Sequence, residues 1–151
     1  KALKMEGLHY LLMKSHALFS RRVLAEISKI GLSSGQPKIL DFLLQYGETD
    51  QKTIAAYCEI EQATVGSILL RMENAGLVLR RQKDGNRRSL YVSLTRAGKE
   101  KAEKLMEIFR DIETDATIGL SVQEMETLNR LLTNICMNLQ ENGRRYTYEQ
   151  K

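Results

Sequence analysis

Residues 53–81, TIAAYCEIEQATVGSILLRMENAGLVLRR, decide the fold. Ile54, Ala55 and Cys58 give the start of this stretch one apolar side at helical spacing, and Thr49 or Asp50 can cap that helix. Residues 62–75 predict a second helix, ended by a glycine, whose apolar face comprises Val65, Ile68, Leu69 and Met72. Two short helices joined by a turn of three or four residues predict a helix-turn-helix.

The periodicity changes directly after this pair of helices. Leu90, Val92 and Leu94 alternate with more polar residues, which is the two-residue period of a strand, and residues 78–82 can form the partner strand. The Asp84-Gly85 pair between them is typical of a hairpin turn, because such turns need positive φ angles. The sequence therefore predicts a β-hairpin, or wing, next to the helix-turn-helix.

Two helices are predicted before this region. The first ends near Gly31, and its apolar stripe comprises Leu8, Leu11, Leu12, Leu18, Phe19, Val23, Ile27 and Ile30. Ser33 and Gln36 have capping-box spacing for the next helix, although Pro37 leaves its cap ambiguous between Ser33 and Ser34. The buried face of that helix is expected to comprise Ile39, Leu40, Leu43 and Leu44.

Two more helices are predicted after the hairpin. Thr95 can cap a fifth helix that runs to Gly119, and Ser121 with Glu124 forms a capping box for a sixth that continues to Gly143. Their apolar residues are Ala102, Leu105, Phe109, Ile112 and Ala116, then Met125, Leu128, Leu132, Ile135 and Leu139. Long stripes at both ends of the chain predict burial against each other and against a second copy, with burial inside one chain as the alternative.

These elements define a fold class that is mainly α with a small β-hairpin. We expect one domain over residues 1–151, in which a winged helix-turn-helix lobe at 33–96 lies between dimerisation helices at 1–31 and 97–143. No apolar stretch approaches the roughly 18 residues of a membrane span, and the start of the chain lacks a signal-peptide pattern, so a cytoplasmic protein without a membrane partner is expected. Cys58 and Cys136 do not form a CxxC motif, and neither has an adjacent histidine. We therefore expect no disulfide, no metal site and no cofactor.

Positive charge is concentrated around the predicted hairpin. Residues 78–101 contain eight lysines and arginines against two acidic residues, whereas the whole chain has a net charge of +4. A charge run is usually a solvated face, but beside a helix-turn-helix it indicates binding to a polyanion. No Gly-rich phosphate loop, HExxH or GxSxG motif is present, so an enzyme is not expected.

Three segments resemble the MarR (multiple antibiotic resistance regulator) family: LSSGQPKILDFLLQYG, TIAAYCEIEQATVGSILLRMENAGLVLRR and GNRRSLYVSLTRAG. The resemblance spans residues 32–98. The family's wing has the form D-x-R, five residues, then Leu-Thr; here the arginine is Arg88 and the last pair is Leu94-Thr95, but Asn86 replaces the usual aspartate. An amide holds an arginine only through a neutral hydrogen bond, so altered wing geometry or operator preference is expected.

The resemblance implies a homodimeric transcription regulator, with a repressor favoured, that binds duplex DNA through the fourth helix and the wing. Gln62, Ala63, Thr64 and Ser67 would approach bases and phosphates, and Arg71 is included in the same surface. Gly66 either admits close DNA approach or is neutral. Arg87 and Arg88 are the expected wing contacts, and the expected phosphate partners are Arg80, Arg81, Lys83 and Arg96.

The resemblance also implies a response to a small phenolic or lipophilic ligand, or to cysteine oxidation. His9 and His16, seven residues apart on one helical face, are candidates for a ligand site or for contact with a partner subunit, with a structural or solvent-exposed role favoured. A buried core position is favoured over a redox switch for Cys58, and an equally ordinary role is favoured for Cys136. The alternative functions are a winged-helix module that binds another protein and a cysteine-based redox sensor.

Overall fold

The computed structural model describes residues 5–83 and 85–140, with the side chains of residues 86–88 outside the described set. The described elements are α1 (Leu8–Ser28), α2 (Gln36–Tyr46), β1 (Thr49–Asp50), α3 (Gln51–Cys58), α4 (Gln62–Asn74), β2 (Val78–Lys83), β3 (Asn86–Leu94), α5 (Arg96–Ala116) and α6 (Val122–Leu139). The predicted fold class, mainly helical with a small β element after a helix-turn-helix, is confirmed. Over this part of the chain, no helix is both long enough and apolar enough to cross a bilayer.

A continuous apolar core lies between α2, α3, α4 and the sheet. Ile39, Ile54, Leu69 and Val92 have no exposed surface, and the predicted buried faces of α3 and α4 are buried throughout. Burial of a side chain of this size contributes about 1.5–3 kcal/mol to folding. The apolar side of α4 is therefore fixed, and its polar side is left pointing outward.

The sheet has three antiparallel strands in the order β1-β3-β2, one more than the predicted hairpin. Thr49 pairs with Val92 and Asp50 with Tyr91, so β1 adds to the outer edge of β3. A strand of two residues has no periodicity of its own, which is why the sequence did not indicate it. Its effect is to tie the segment before α3 to the hairpin.

Three of the predicted helix caps are confirmed. The Thr53 N–H donates to the Asp50 carboxylate (2.7 Å) at the start of α3, which selects Asp50 over Thr49. The Gly98 N–H donates to the Thr95 hydroxyl (3.0 Å) at the start of α5. The Ser121 and Glu124 capping box of α6 is complete, with both reciprocal hydrogen bonds formed. Each cap stabilises its helix by about 1 kcal/mol.

The predicted cap of α2 is wrong, because Gly35 occupies the N-cap position and neither Ser33 nor Ser34 does. Gln36 still accepts a hydrogen bond from the Ser33 N–H (3.0 Å), which is half of the expected capping box. Gly35 has φ 89°, and a Cβ there would lie 2.7 Å from Cδ1 of Ile68. The positive φ at this position therefore favours glycine at the start of α2, and the end of the Ile68 side chain packs against it.

The chain forms two compact units, one ending at Ile112 and the other beginning at Glu113. Within the first unit, α1 has a single buried residue, Ile27, although Leu8, Leu11, Leu18 and Leu24 are apolar and exposed. Helix α6 of the second unit has no buried residue, and its exposed apolar side chains include Leu128, Leu131, Leu132 and Leu139. Both helices thus have apolar stripes that this chain leaves uncovered. The predicted continuation of the last helix to Gly143 is wrong, because α6 ends at Leu139 and Gln140 adopts an extended backbone conformation at its C-cap.

Candidate nucleic-acid interface

The polar side of α4 is fully accessible to a ligand. Gln62, Ala63, Thr64, Ser67 and Arg71 are all exposed, on the side of the helix opposite its buried face. The Ser67 hydroxyl donates within the helix to the Ala63 carbonyl (3.3 Å), so it needs no other residue to hold it. The structure thus brings together, on one exposed surface, the five residues predicted from the sequence for this helix.

A three-residue turn, Glu59 to Glu61, sets α4 at its angle to α3. Glu59 has φ 54°, a left-handed conformation that is uncommon outside glycine, and the Ile60 N–H donates to the Ala55 carbonyl (3.0 Å). Asp or Asn tolerate this conformation better than Glu. The turn length matches the prediction.

Gly66 and Leu70 lie on or beside this face. A Cβ at Gly66 would meet only Nε2 of Gln51, at an ordinary contact distance of 3.9 Å, so the fold itself does not require glycine there. Leu70 is 49% exposed, and nothing in the structure explains an apolar residue at this position.

Arg80 is held in a bridge between three elements rather than extended into solvent. Its guanidinium donates to Oε1 of Gln51 on α3 (3.1 Å) and to both carboxylate oxygens of Glu73 on α4 (3.3 and 3.5 Å). Its side chain is only 16% exposed. This predicted phosphate partner therefore lies on the inner face of the sheet, where it fixes β2 against the helix-turn-helix.

Arg81 and Lys83 lie on the outer face of the same strand and share one carboxylate. Arg81 donates from Nε and Nη2 to the two oxygens of Glu48 (3.1 and 3.2 Å), and Nζ of Lys83 lies 2.9 Å from Oε1 of Glu48. Lys83 also lies over the ring of Tyr91, 4.4 Å from its centroid. The hydrogen bond from Lys83 lowers the pKa of Glu48 below its ordinary value; desolvation opposes this shift, and Arg81 adds to it. The carboxylate therefore remains charged at neutral pH.

The hairpin between β2 and β3 carries a register shift. Gln82 pairs with Leu90 but Lys83 pairs with Asn86, so residues 87–89 of β3 have no counterparts in the β2 ladder. The predicted wing arginines, Arg87 and Arg88, fall within this shift. Their side chains and that of Asn86 lie outside the described set, as does the turn residue Asp84. The consequence expected from Asn86 in place of aspartate therefore stays a prediction.

The base of the wing is joined tightly to α5. The Thr95 hydroxyl donates to the Gly76 carbonyl (2.5 Å), and the Thr95 N–H donates to the Leu77 carbonyl (3.0 Å). A Cβ on Gly98 would overlap that same Leu77 carbonyl oxygen, so this position accepts only glycine. Arg96, the last predicted phosphate partner, is 95% exposed and has only a 3.6 Å ion pair with Glu100.

The candidate sensor residues lie on helices α1, α3 and α6. His9 and His16 are both exposed on α1. Cys58 is 3% exposed, and burial raises the pKa of its thiol to about 11, which confirms the predicted core position and keeps the thiol protonated at neutral pH. Cys136 is exposed on α6. Over residues 5–83 and 85–140, no cluster of three His, Cys, Asp or Glu side chains could hold a metal ion.

Sequence reasoning missed the acidic and amide partners of the basic strand: Glu48, Gln51 and Glu73. Glu48 lies 33 residues before Arg81, and Gln51 lies 29 before Arg80. Contacts over such separations leave no periodic or spacing signal in one sequence. The sequence does place an acidic residue, Glu48, next to the predicted cap at Thr49 or Asp50. That position alone does not indicate which basic residue Glu48 contacts.

An exposed recognition helix beside a basic hairpin defines a winged-helix protein of the DNA-binding class, and comparison with known proteins agrees. A model of the MarR family matches residues 32–90. The homoprotocatechuate degradative operon repressor of Escherichia coli is 31% identical over 110 residues, which cover 70% of this chain and 72% of the relative. The chain belongs to the MarR family of transcription regulators, as the sequence predicted.

Solved structures of the same fold extend the likeness to most of the chain. The MepR–DNA complex of S. aureus has a TM-score of 0.80 and 21% identity, covering 89% of this chain and 100% of that one. Bordetella bronchiseptica BpsR, whose DNA binding is regulated by 6-hydroxynicotinic acid, has a TM-score of 0.77 and 22% identity, covering 87% of this chain and 99% of that one. At this identity the likeness establishes the winged-helix fold.

Proposed function

We propose that this protein is a homodimeric repressor that binds a pseudo-palindromic DNA operator and is released from it by a small ligand. The observation that carries the proposal is the exposed polar face of α4, next to a strand and hairpin rich in arginine and lysine. A helix fits the major groove of DNA, and a slender hairpin with cationic side chains fits the phosphates and the narrower minor groove.

In this proposal the two parts of the surface have different roles. Gln62 can form paired hydrogen bonds with adenine, and Ala63 or the Thr64 methyl group can contact the methyl group of thymine. Ser67, Arg71, Arg87, Arg88 and Arg96 supply contacts that position the lobe on the backbone. Arg80 acts indirectly, because its bridge to Glu73 and Gln51 orients α4 relative to the wing.

The dimer is proposed from the uncovered leucines of α1 and α6. We assign the DNA-binding lobe to residues 33–96 and the dimerisation helices to residues 1–31 and 97–143. A second copy related by a twofold axis would cover both stripes and present two recognition helices. The half-sites would then be centred about one turn of DNA, roughly 10 base pairs, apart.

Ligand release is proposed by likeness to regulated members of the same fold, such as BpsR. A small phenolic or lipophilic ligand would have to bind the DNA-competent and incompetent dimers with different affinities, because only differential binding shifts an equilibrium. His9 and His16 are the candidate polar contacts.

Selection of bound duplexes from a random pool, followed by salt titration, tests the proposal. Arg88→Ala should weaken binding to all duplexes and reduce the slope of log affinity against log salt by about 0.9. Thr64→Ala should change the preferred sequence while keeping the slope. Arg130→Ala on α6 is the matched control, with neither property expected to change. A protein that retains no duplex at low salt would contradict the proposal and favour a protein-binding wing.

A further inference from the structure

One carboxylate, that of Glu48, forms ion pairs with two cations on the outer face of β2. Side chains alternate along the strand, so Arg81 and Lys83 point away from the core side occupied by Val78 and Val92. Glu48 directly precedes β1, reaches the same outer face and contacts both cations at 2.9–3.2 Å. The Arg81 side chain is 65% exposed and that of Lys83 is 47% exposed, whereas Glu48 is 22% exposed.

These contacts are not needed to hold the strand in place. Backbone pairing fixes residues 78–82 of β2 against residues 90–94 of β3. The buried Arg80 bridge fixes the same strand to α3 and α4 from its other side. Because exposed ion pairs contribute only about 0–1 kcal/mol each, Arg81 and Lys83 can exchange Glu48 for another anion at little cost.

We propose that Glu48 is an internal competitor of the DNA phosphates: it holds Arg81 and Lys83 in the free protein and lowers its affinity for every duplex. The proposal rests on the proposed DNA-binding function and deepens it. The two non-bridging oxygens of a DNA phosphate offer an arginine the same paired acceptors as a carboxylate, so the exchange keeps the geometry of the guanidinium. The affinity of the wing is thus set by an acidic residue outside the wing.

The test compares wild type with Glu48→Gln, which preserves the size of the side chain and removes its charge. The variant should bind a fixed duplex roughly three- to tenfold more tightly at physiological salt, the range expected from releasing two exposed ion pairs. The slope of log affinity against log salt should change little, because in both proteins the two cations contact phosphates in the bound state. Thermal melting checks that the variant is folded.

The control is the same substitution in an Arg81→Gln/Lys83→Gln background. Removing any acidic charge near DNA raises affinity somewhat, and that general effect would persist without the two cations. We expect the gain in duplex affinity from Glu48→Gln to disappear in this background. A gain that persists in this background would overturn the proposal. An unchanged or lower affinity of folded Glu48→Gln alone would also overturn it, and a lower affinity would show that Glu48 stabilises the wing. The same assay shows whether the wild type binds duplex DNA at all, and a wild type that binds none would overturn both proposals.

Discussion

The lobe formed by α2, α3, α4 and the sheet differs from helices α1 and α6 in where the apolar side chains lie. In the lobe, Ile39, Ile54 and Leu69 are completely buried within one chain, and the exposed side of α4 is polar. Helices α1 and α6 are longer, yet α1 buries one residue and α6 buries none. The lobe buries its apolar side chains within one chain, whereas helices α1 and α6 leave most of theirs exposed.

This difference separates the two tasks proposed for the protein. A DNA-reading surface needs polar side chains that stay free, so the apolar faces behind it must be buried internally. A dimer interface needs apolar side chains that stay uncovered in one chain. Substitutions in the lobe should therefore alter folding stability, whereas those on the terminal helices should alter association.

The largest effect is expected from Leu128→Asp combined with Leu132→Asp on α6. Each buried leucine contributes about 1.5–3 kcal/mol, and a twofold interface contains both residues twice. Sedimentation should then show a species near the chain mass of 17.3 kDa, and operator affinity should fall more than roughly 100-fold. Asn134→Asp adds a charge on another side of α6 and should leave the dimer intact. A double variant that remains dimeric would show that Leu128 and Leu132 do not form the dimer interface.

A smaller effect, confined to stability, is expected from Gly98→Ala in the first turn of α5, where that helix packs against Leu77 of the lobe. The added methyl group would overlap the Leu77 carbonyl, and overpacking of this kind costs about 1–3 kcal/mol. Gly66→Ala is the matched control: its Cβ has room, and alanine favours a helix by about 1 kcal/mol. Urea unfolding at one fixed protein concentration should move the two midpoints in opposite directions. Equal midpoints would show that the base of the wing is not rigidly packed.

The smallest effects are expected at Thr95 and Ser121, two of the three confirmed helix caps. Thr95→Ala removes the cap of α5 and also the hydrogen bond to the Gly76 carbonyl, so it should destabilise the protein by about 2 kcal/mol. Ser121→Ala removes only the cap of α6, which is worth about 1 kcal/mol. The measurement is again the shift of the urea midpoint. A larger loss at Ser121 would show that the terminal region, rather than the lobe, limits stability.

Local patterns predicted most of the fold. The buried faces of α3 and α4, the length of the turn between them and the caps at Asp50, Thr95 and Ser121 all follow from spacing within a few residues. The cap of α2 was mispredicted because the chain enters the helix through Gly35 at φ 89°, a backbone conformation that the capping preference of serine does not indicate. The strand β1 was missed because it exists only through pairing with β3.

The candidate site was predictable as a set of cations but not as a set of contacts. Arginine and lysine type and spacing indicated the basic strand, yet they gave no indication that Arg80 is largely buried while Arg81 is exposed. Strand alternation implies opposite faces for the two, but only the fold decides which face meets Glu73 and which meets Glu48. Acidic partners that are distant in sequence therefore determine how many of the cations are free.

The Arg80 bridge restricts the motions by which this protein could be controlled. Because one guanidinium joins α3, α4 and β2, a displacement of α4 must carry the hairpin with it. The two parts proposed to contact DNA would then keep a constant separation inside each subunit of the proposed dimer. An effector would accordingly act on the distance between two such rigid bodies, so a bound ligand should change which half-site spacing is tolerated while leaving the preferred base sequence of each half-site unaltered.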